Sequence, residues 1–153
     1  MTDQLIREEH AEPTTPITPI TTKIAIVVRT DLQTWQKLNV TAFLASGIAA
    51  SSPDAIGRDY TDADGTRYTP MFGQPVMVFG ADRDRLTRTL NRALSRGVVP
   101  TIFTTDLFTT SHDDANRAAV AAAARDDLDL AGIAIRADRK TSDKIVDGLR
   151  LHQ

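Results

Sequence analysis

The chain has 153 residues, 41% of them hydrophobic and 25% charged, a balance that suits one globular domain and excludes an intrinsically disordered chain. A formal charge of −2 argues against a polycation that grips nucleic acid non-specifically. The absence of cysteine excludes disulfides, thiolate nucleophiles and cysteine-ligated metals, and no apolar run reaches the roughly 18 residues of a membrane span.

In chain order, residues 1–21 are acidic and then rich in Thr and Pro (Pro13, Pro16, Pro19), which predicts an extended or disordered arm ahead of a single α/β domain over 22–153. Lys23–Arg29 is Ile/Val-rich with little alternation, the pattern of a strand covered on both faces. A helix is expected from Thr34, read as its N-cap, to about Ala50. It is apolar nearly all round, through Leu38, Val40, Phe43, Leu44 and Ile48, and so is expected to be wholly buried.

Ser51–Gln74 is a long connection with a turn signal at Asp62-Ala-Asp64-Gly65 and a short strand at Arg67–Thr69. Pro75–Gly80 reads as the second strand. Asp82–Arg96 is an amphipathic helix with Leu86, Leu90, Ala93 and Leu94 inward and an arginine stripe, Arg85/Arg88/Arg92/Arg96, outward. The stripe reads as a solvated face, with phosphate contact as the alternative. Val98–Thr104 is a third strand, Thr105–Ser111 a polar loop, Asp113–Arg125 an alanine-rich helix, Leu130–Ile135 a fourth strand, and Ser142–Leu151 a last helix. This order predicts a three-layer α/β/α sandwich around a mixed four-stranded sheet.

No dinucleotide fingerprint, P-loop or zinc-protease motif occurs, and His10, His112 and His152 are too scattered to suggest a metal site, so neither metal nor cofactor is expected. His10 and His152 read as solvated tail residues. The chemistry-bearing residues gather where strands give way to helices: Arg29, Asp31, Trp35, Lys37 and Asn39 after the first strand, and Asp106, Thr110, His112 and Asn116 after the third. Open α/β folds bind ligands at the carboxyl ends of strands. Thr110, Ser111 and Asp113 also serve as helix N-caps. Lys37 suits a substrate carbonyl or phosphate but also a surface lysine with a covered stem, and Trp35 suits either a plug or a stacking surface.

The order of short motifs resembles type 2 peptidyl-tRNA hydrolase across about residues 22–151. Val28-Arg29-Thr30-Asp31-Leu32 matches that family's first strand end. Gly73–Phe79 is similar to its second strand, Pro100–Asp106 with Thr110 to its third strand and Asp-x-x-x-Thr loop, and Ala131–Arg136 with Asp143–Leu149 to its fourth strand and closing helix. Asp31, Asp106 and Thr110 fall on matching positions. The family's helix-start Lys, Gln and His align with Asn39, Phe43 and Ser46, and its Gly-rich turn has become Gln33-Thr-Trp-Gln36. The resemblance implies a peptidyl-tRNA hydrolase II-like fold in a bacterial family of unknown function.

These readings lead to a relative that has lost the parent activity. It is expected to bind a small molecule or nucleotide-like ligand between Trp35/Lys37/Asn39 and Asp106/Thr110/His112, with Asp31 and Asn116 adjoining. The alternatives are hydrolysis of an acyl or peptidyl ester by Lys37, Asp106 and Thr110, with tRNA as a less favoured partner, and a protein-interaction module built on the arm. The expected setting is the cytoplasm, with no membrane contact and with a homodimer allowed.

Overall fold

In the computed structural model, residues 19–153 are described. The arm predicted over 1–21 lies almost entirely outside them, as does His10.

The sheet is built around β1 (Thr22–Arg29), whose five central residues Ile24–Val28 are all buried. It pairs in parallel with β4 (Val76–Ala81), Val27 opposite Phe79, and antiparallel with β6 (Leu130–Asp138), Val27 opposite Ile133. β5 (Thr101–Thr104) borders β6, and β7 (Arg150–Leu151) borders β4, giving the order β5-β6-β1-β4-β7. Among the described residues the mixed sheet thus has five strands, not the four expected. A separate hairpin, β2 (Tyr60–Thr61) with β3 (Arg67–Tyr68), closes on Gly65 at φ 83°. The Asp62 carboxylate accepts from Asp64 and Thr66 amides there, as the turn signal implied.

Helices cover both faces because β1 is apolar on both. Ile24, Ile26 and Val28 pack with Val40, Leu44 and Ile48 of α1 (Thr34–Ser51). Val27 packs with Leu86 and Leu90 of α2 (Arg83–Ser95), and Ala25 with Ile145 of α4 (Arg139–Ile145). The period of two in a strand sends alternate side chains to opposite helical layers. α3 (Asp113–Ala121) has no buried residue and packs on the 3-10 turn Thr105–Phe108.

Three local expectations are corrected. α1 is not buried all round: Leu38 is 67% exposed and Phe43 54%, because the helix meets the sheet along only the Val40/Leu44/Ile48 stripe. Its N-cap is Gln33, not Thr34, and the Gln33 amide donates to Gln36 Oε1 at 3.0 Å. The predicted helix Ser142–Leu151 is instead α4, begun earlier by the Asp138 cap, then a left-handed turn at Gly148 (φ 82°) and β7. Pairing along the β4 edge outcompetes helix propensity for Arg150–Leu151.

The long connection is held, not loose. Arg136 grips Asp54 through two nitrogens at 3.1 and 3.0 Å, and Gln74 bonds back to Thr22.

Candidate functional site

The carboxyl end of β1 is organised by Arg29. Its side chain is only 14% exposed. Nε and Nη2 engage Asp31 at 2.6 and 3.4 Å, and Nη1 engages Asp129 at 2.7 Å and the Leu130 carbonyl at 3.4 Å. Asp129 in turn accepts from Thr105 Oγ1 at 2.7 Å and pairs with Arg83 Nε at 3.1 Å. One guanidinium therefore ties the exits of β1 and β5, the entry of β6 and the first residue of α2. The hydrogen bond to Asp31 raises the Arg29 pKa further above its already high ordinary value, and the same bond holds the Asp31 carboxyl below its ordinary value, with the Lys37 charge acting in the same direction. Asp31 is thus spent on a structural clamp.

The sequence-predicted residues fall into three groups. On one edge of α1, Trp35 meets Phe108 edge-to-face at 5.8 Å and donates from Nε1 to Gln33 Oε1 at 2.7 Å. Phe108 continues to Phe103 and Phe103 to Phe43, an aromatic chain that brings the Asp106 turn beside α1. The Asp106 carbonyl accepts from Thr109, while its carboxylate is exposed and makes no hydrogen bond among the described residues.

In the second group, Thr110 Oγ1 donates to the Leu107 carbonyl at 3.1 Å and lies against Asn116 Oδ1. His112 is the cap of α3, its Nδ1 accepting from the Ala115 amide at 3.1 Å, a role the sequence reading had given to Thr110, Ser111 or Asp113. That bond requires the neutral ring with its proton on Nε2. The third group is Lys37, half-buried on the opposite edge of α1, and no hydrogen bond or ion pair joins it to Asp106 among the described residues. Asn39 stands exposed on the outer face of α1.

Lys37 instead lines a groove at the carboxyl ends of the parallel pair β1 and β4. α1 leaves β1 over one face of the sheet and α2 leaves β4 over the other, so these two ends form the topological switch where α/β sheets open a crevice. One part, of about 540 Å³, is bounded by Thr30, Lys37, Gly80, Arg85 and Arg150. An adjoining part of about 410 Å³ runs over Val28, Leu38, Thr41 and Val78, and His152 borders both.

Gly80 is required at the floor: a Cβ there would lie 2.9 Å from Thr30 Cγ2 and 3.3 Å from His152 Cδ2. His152 is held by its amide on the Val78 carbonyl at 2.9 Å, and its ring Nε2 is buried with no hydrogen-bond partner among the described residues, so it is not the solvated tail residue expected. Asp82, the one carboxylate side chain at the rim among the described residues, caps α2 by accepting from the Arg85 amide at 2.8 Å. Three cationic side chains, Lys37, Arg85 and Arg150, against that one carboxylate leave the rim side chains net positive.

The groove combines residues that sequence reasoning had kept apart or missed. Gly80 at the end of an apolar strand was a readable signal of close approach. Arg150 and His152 had none, because only the long-range pairing of β7 with β4 brings them there.

A solved structure of a protein of unknown function from Agrobacterium tumefaciens shares 42% sequence identity and a TM-score of 0.86, over 88% of this chain and 100% of that one. No curated protein matched the sequence. Neither the family description nor the solved relative names an activity, and the peptidyl-tRNA hydrolase likeness stays one of motif order. The family described as "Protein of unknown function (DUF2000)" matches residues 22–153, and the chain belongs to it.

Proposed function

We propose that this protein binds a small anionic metabolite in the groove at the ends of β1 and β4. The observation that carries the reading is the convergence of Lys37, Arg85 and Arg150 on a recess where the described residues supply one carboxylate side chain, Asp82, the cap of α2. A carboxylate or phosphate ester would take the cationic rim. Its apolar part would lie over Val28, Leu38 and Val78. The reading keeps Lys37 as a ligand-binding residue, as the sequence suggested, and moves its partners from the Asp106 loop to β4, α2 and β7. The domain then binds without hydrolysing: Thr110 is engaged with Leu107 and Asn116, and Asp106 has no link to Lys37 among the described residues, which leaves ester hydrolysis by that trio with little support.

The test is a thermal-shift screen of small phosphates and carboxylates. A ligand present at about 100 times its Kd adds about 2.7 kcal/mol, or roughly 5–10 °C in a domain of this size. Lys37→Ala and Arg150→Ala are expected to abolish the shift without lowering the unliganded melting temperature by more than about 2 °C. If no compound of either class moves the wild-type protein, the reading is wrong.

A further inference from the structure

On the face of the sheet away from α1, α2 and α4 pack side by side and leave a trough of about 780 Å³. It is lined by Arg92, Arg96, Arg139, Lys140 and Lys144 against two carboxylates, Asp143 and Asp147. Asp143 is already paired with Lys23 at 2.5 Å. Arg88 extends the track along α2 in an adjoining recess of about 230 Å³. Arg92 is pinned by its bond to the Asp147 carbonyl at 3.0 Å. Among the described residues, Arg88, Arg96, Lys140 and Lys144 have no carboxylate within ion-pair distance.

In a chain of net charge −2, this is a local concentration of positive charge. Like charges gathered so closely repel one another, and an anion removes the repulsion.

The arrangement specifies the anion. Guanidinium forks match phosphate oxygens. Along α2 the arginines recur every three or four residues, about 4.5–6 Å of helix rise, so the track offers repeated phosphate positions, not one. Single-stranded nucleic acid is bound with aromatic side chains that stack its bases, and none lines this trough among the described residues. The aromatic chain Trp35–Phe108–Phe103–Phe43 belongs to the α1 side.

We infer that the trough between α2 and α4 binds inorganic polyphosphate, a phosphate chain that carries no bases. The trough shares no lining residue with the groove beside Lys37; Arg85, at the far end of the adjoining recess, borders both that recess and the groove.

Titration of the full chain with a short polyphosphate, and with an oligothymidylate of equal phosphate count, tests it. Polyphosphate is expected to bind at least tenfold more tightly. Its log affinity should fall linearly with log salt at about 0.7 per cation engaged. The double variant Arg88→Gln/Lys144→Gln, both surface positions, should lower affinity at least tenfold and flatten that slope by about 1.4 with an unchanged melting temperature. Lys37→Ala should leave polyphosphate affinity unchanged. Equal or tighter binding of the oligothymidylate, no binding of polyphosphate at low salt, an unaffected double variant, or loss of binding in Lys37→Ala would each overturn the inference.

Discussion

Arg29 Nη1 and Asp129 Oδ1 stand 2.7 Å apart, joining two residues a hundred positions distant in the chain. The pair is where the exit of β1 is locked to the entry of β6, and Thr105 and Arg83 share the same carboxylate. Asp129→Ala would leave a mostly covered guanidinium with Asp31 as its one carboxylate among the described residues and a long contact to the Leu130 carbonyl. Breaking a fully buried pair costs about 3–5 kcal/mol, and the one-third exposure of the Asp129 side chain reduces the expected loss to about 2 kcal/mol. Denaturant unfolding measures it. A loss below about 0.5 kcal/mol would show that the clamp is not structural.

The same clamp makes stability depend on pH. Asp31 titrates below its ordinary value of 3.8 because Arg29 donates to its carboxylate. A carboxyl with a depressed folded-state pKa contributes fully above its unfolded value, and the contribution fades as pH falls through the folded value. Stability should therefore drop below about pH 4, and Asp31→Asn should remove part of that drop while lowering stability at neutral pH. Melting temperatures from pH 2 to 7 for both proteins decide this. Parallel curves would exclude the role of Asp31.

Gly132 in β6 lies directly under α1. A Cβ at this position would sit 2.7 Å from Val40 Cγ1 and 2.8 Å from Leu44 Cδ1. Gly132→Ala must push the helix off the sheet or force those rotamers, at a cost of about 1–3 kcal/mol. Equilibrium unfolding that shows no loss would mean the helix–sheet contact yields freely there.

Leu38 and Leu44, on one helix, should behave oppositely. Leu44 is fully buried and Leu38 is 67% exposed. Leu44→Ala is expected to cost about 2–5 kcal/mol, Leu38→Ser less than about 0.5 kcal/mol. Comparable losses from both would mean that the outer face of α1 is covered in solution.

His112 contributes to α3 through its lone pair on the Ala115 amide. His112→Ala should lower stability by about 0.5–1 kcal/mol and loosen α3, while His112→Ser should retain most of the cap. Hydrogen exchange of the first α3 amides reads the difference.

Much of the architecture was legible before the structure. β1, β4, β5, β6 and α2 follow from apolar runs and from the 3.6-residue spacing of Leu86, Leu90 and Ala93, which are local properties. α1 was legible as a helix but not in its exposure. Nearly every one of its positions is apolar, so periodicity could not tell which face meets the sheet; the backbone at Gly132 and the β1 side chains Ile24, Ile26 and Val28 decide that.

The candidate site divides in the same way. Its placement at strand carboxyl ends, and Lys37 within it, were readable because the rule depends on element order alone. Its partners were not. β6 inserts between β1 and β5, so the exit of β1 faces Asp129 and the exit of β4, and Lys37 projects toward Gly80 and His152.

By itself, the sequence determined that this chain forms a mixed α/β domain with an aliphatic core, no disulfide and a polar joint after β1, because composition and hydrophobic period act through near neighbours. Strand order, the fifth strand, the exposed face of α1 and the assembly of Lys37, Arg85, Arg150 and His152 into one groove were decided only by tertiary structure. Those features rest on hydrogen bonds and packing between segments about 26 to 116 residues apart, from Thr104–Leu130 to Thr22–Asp138, for which the chain carries no local signal.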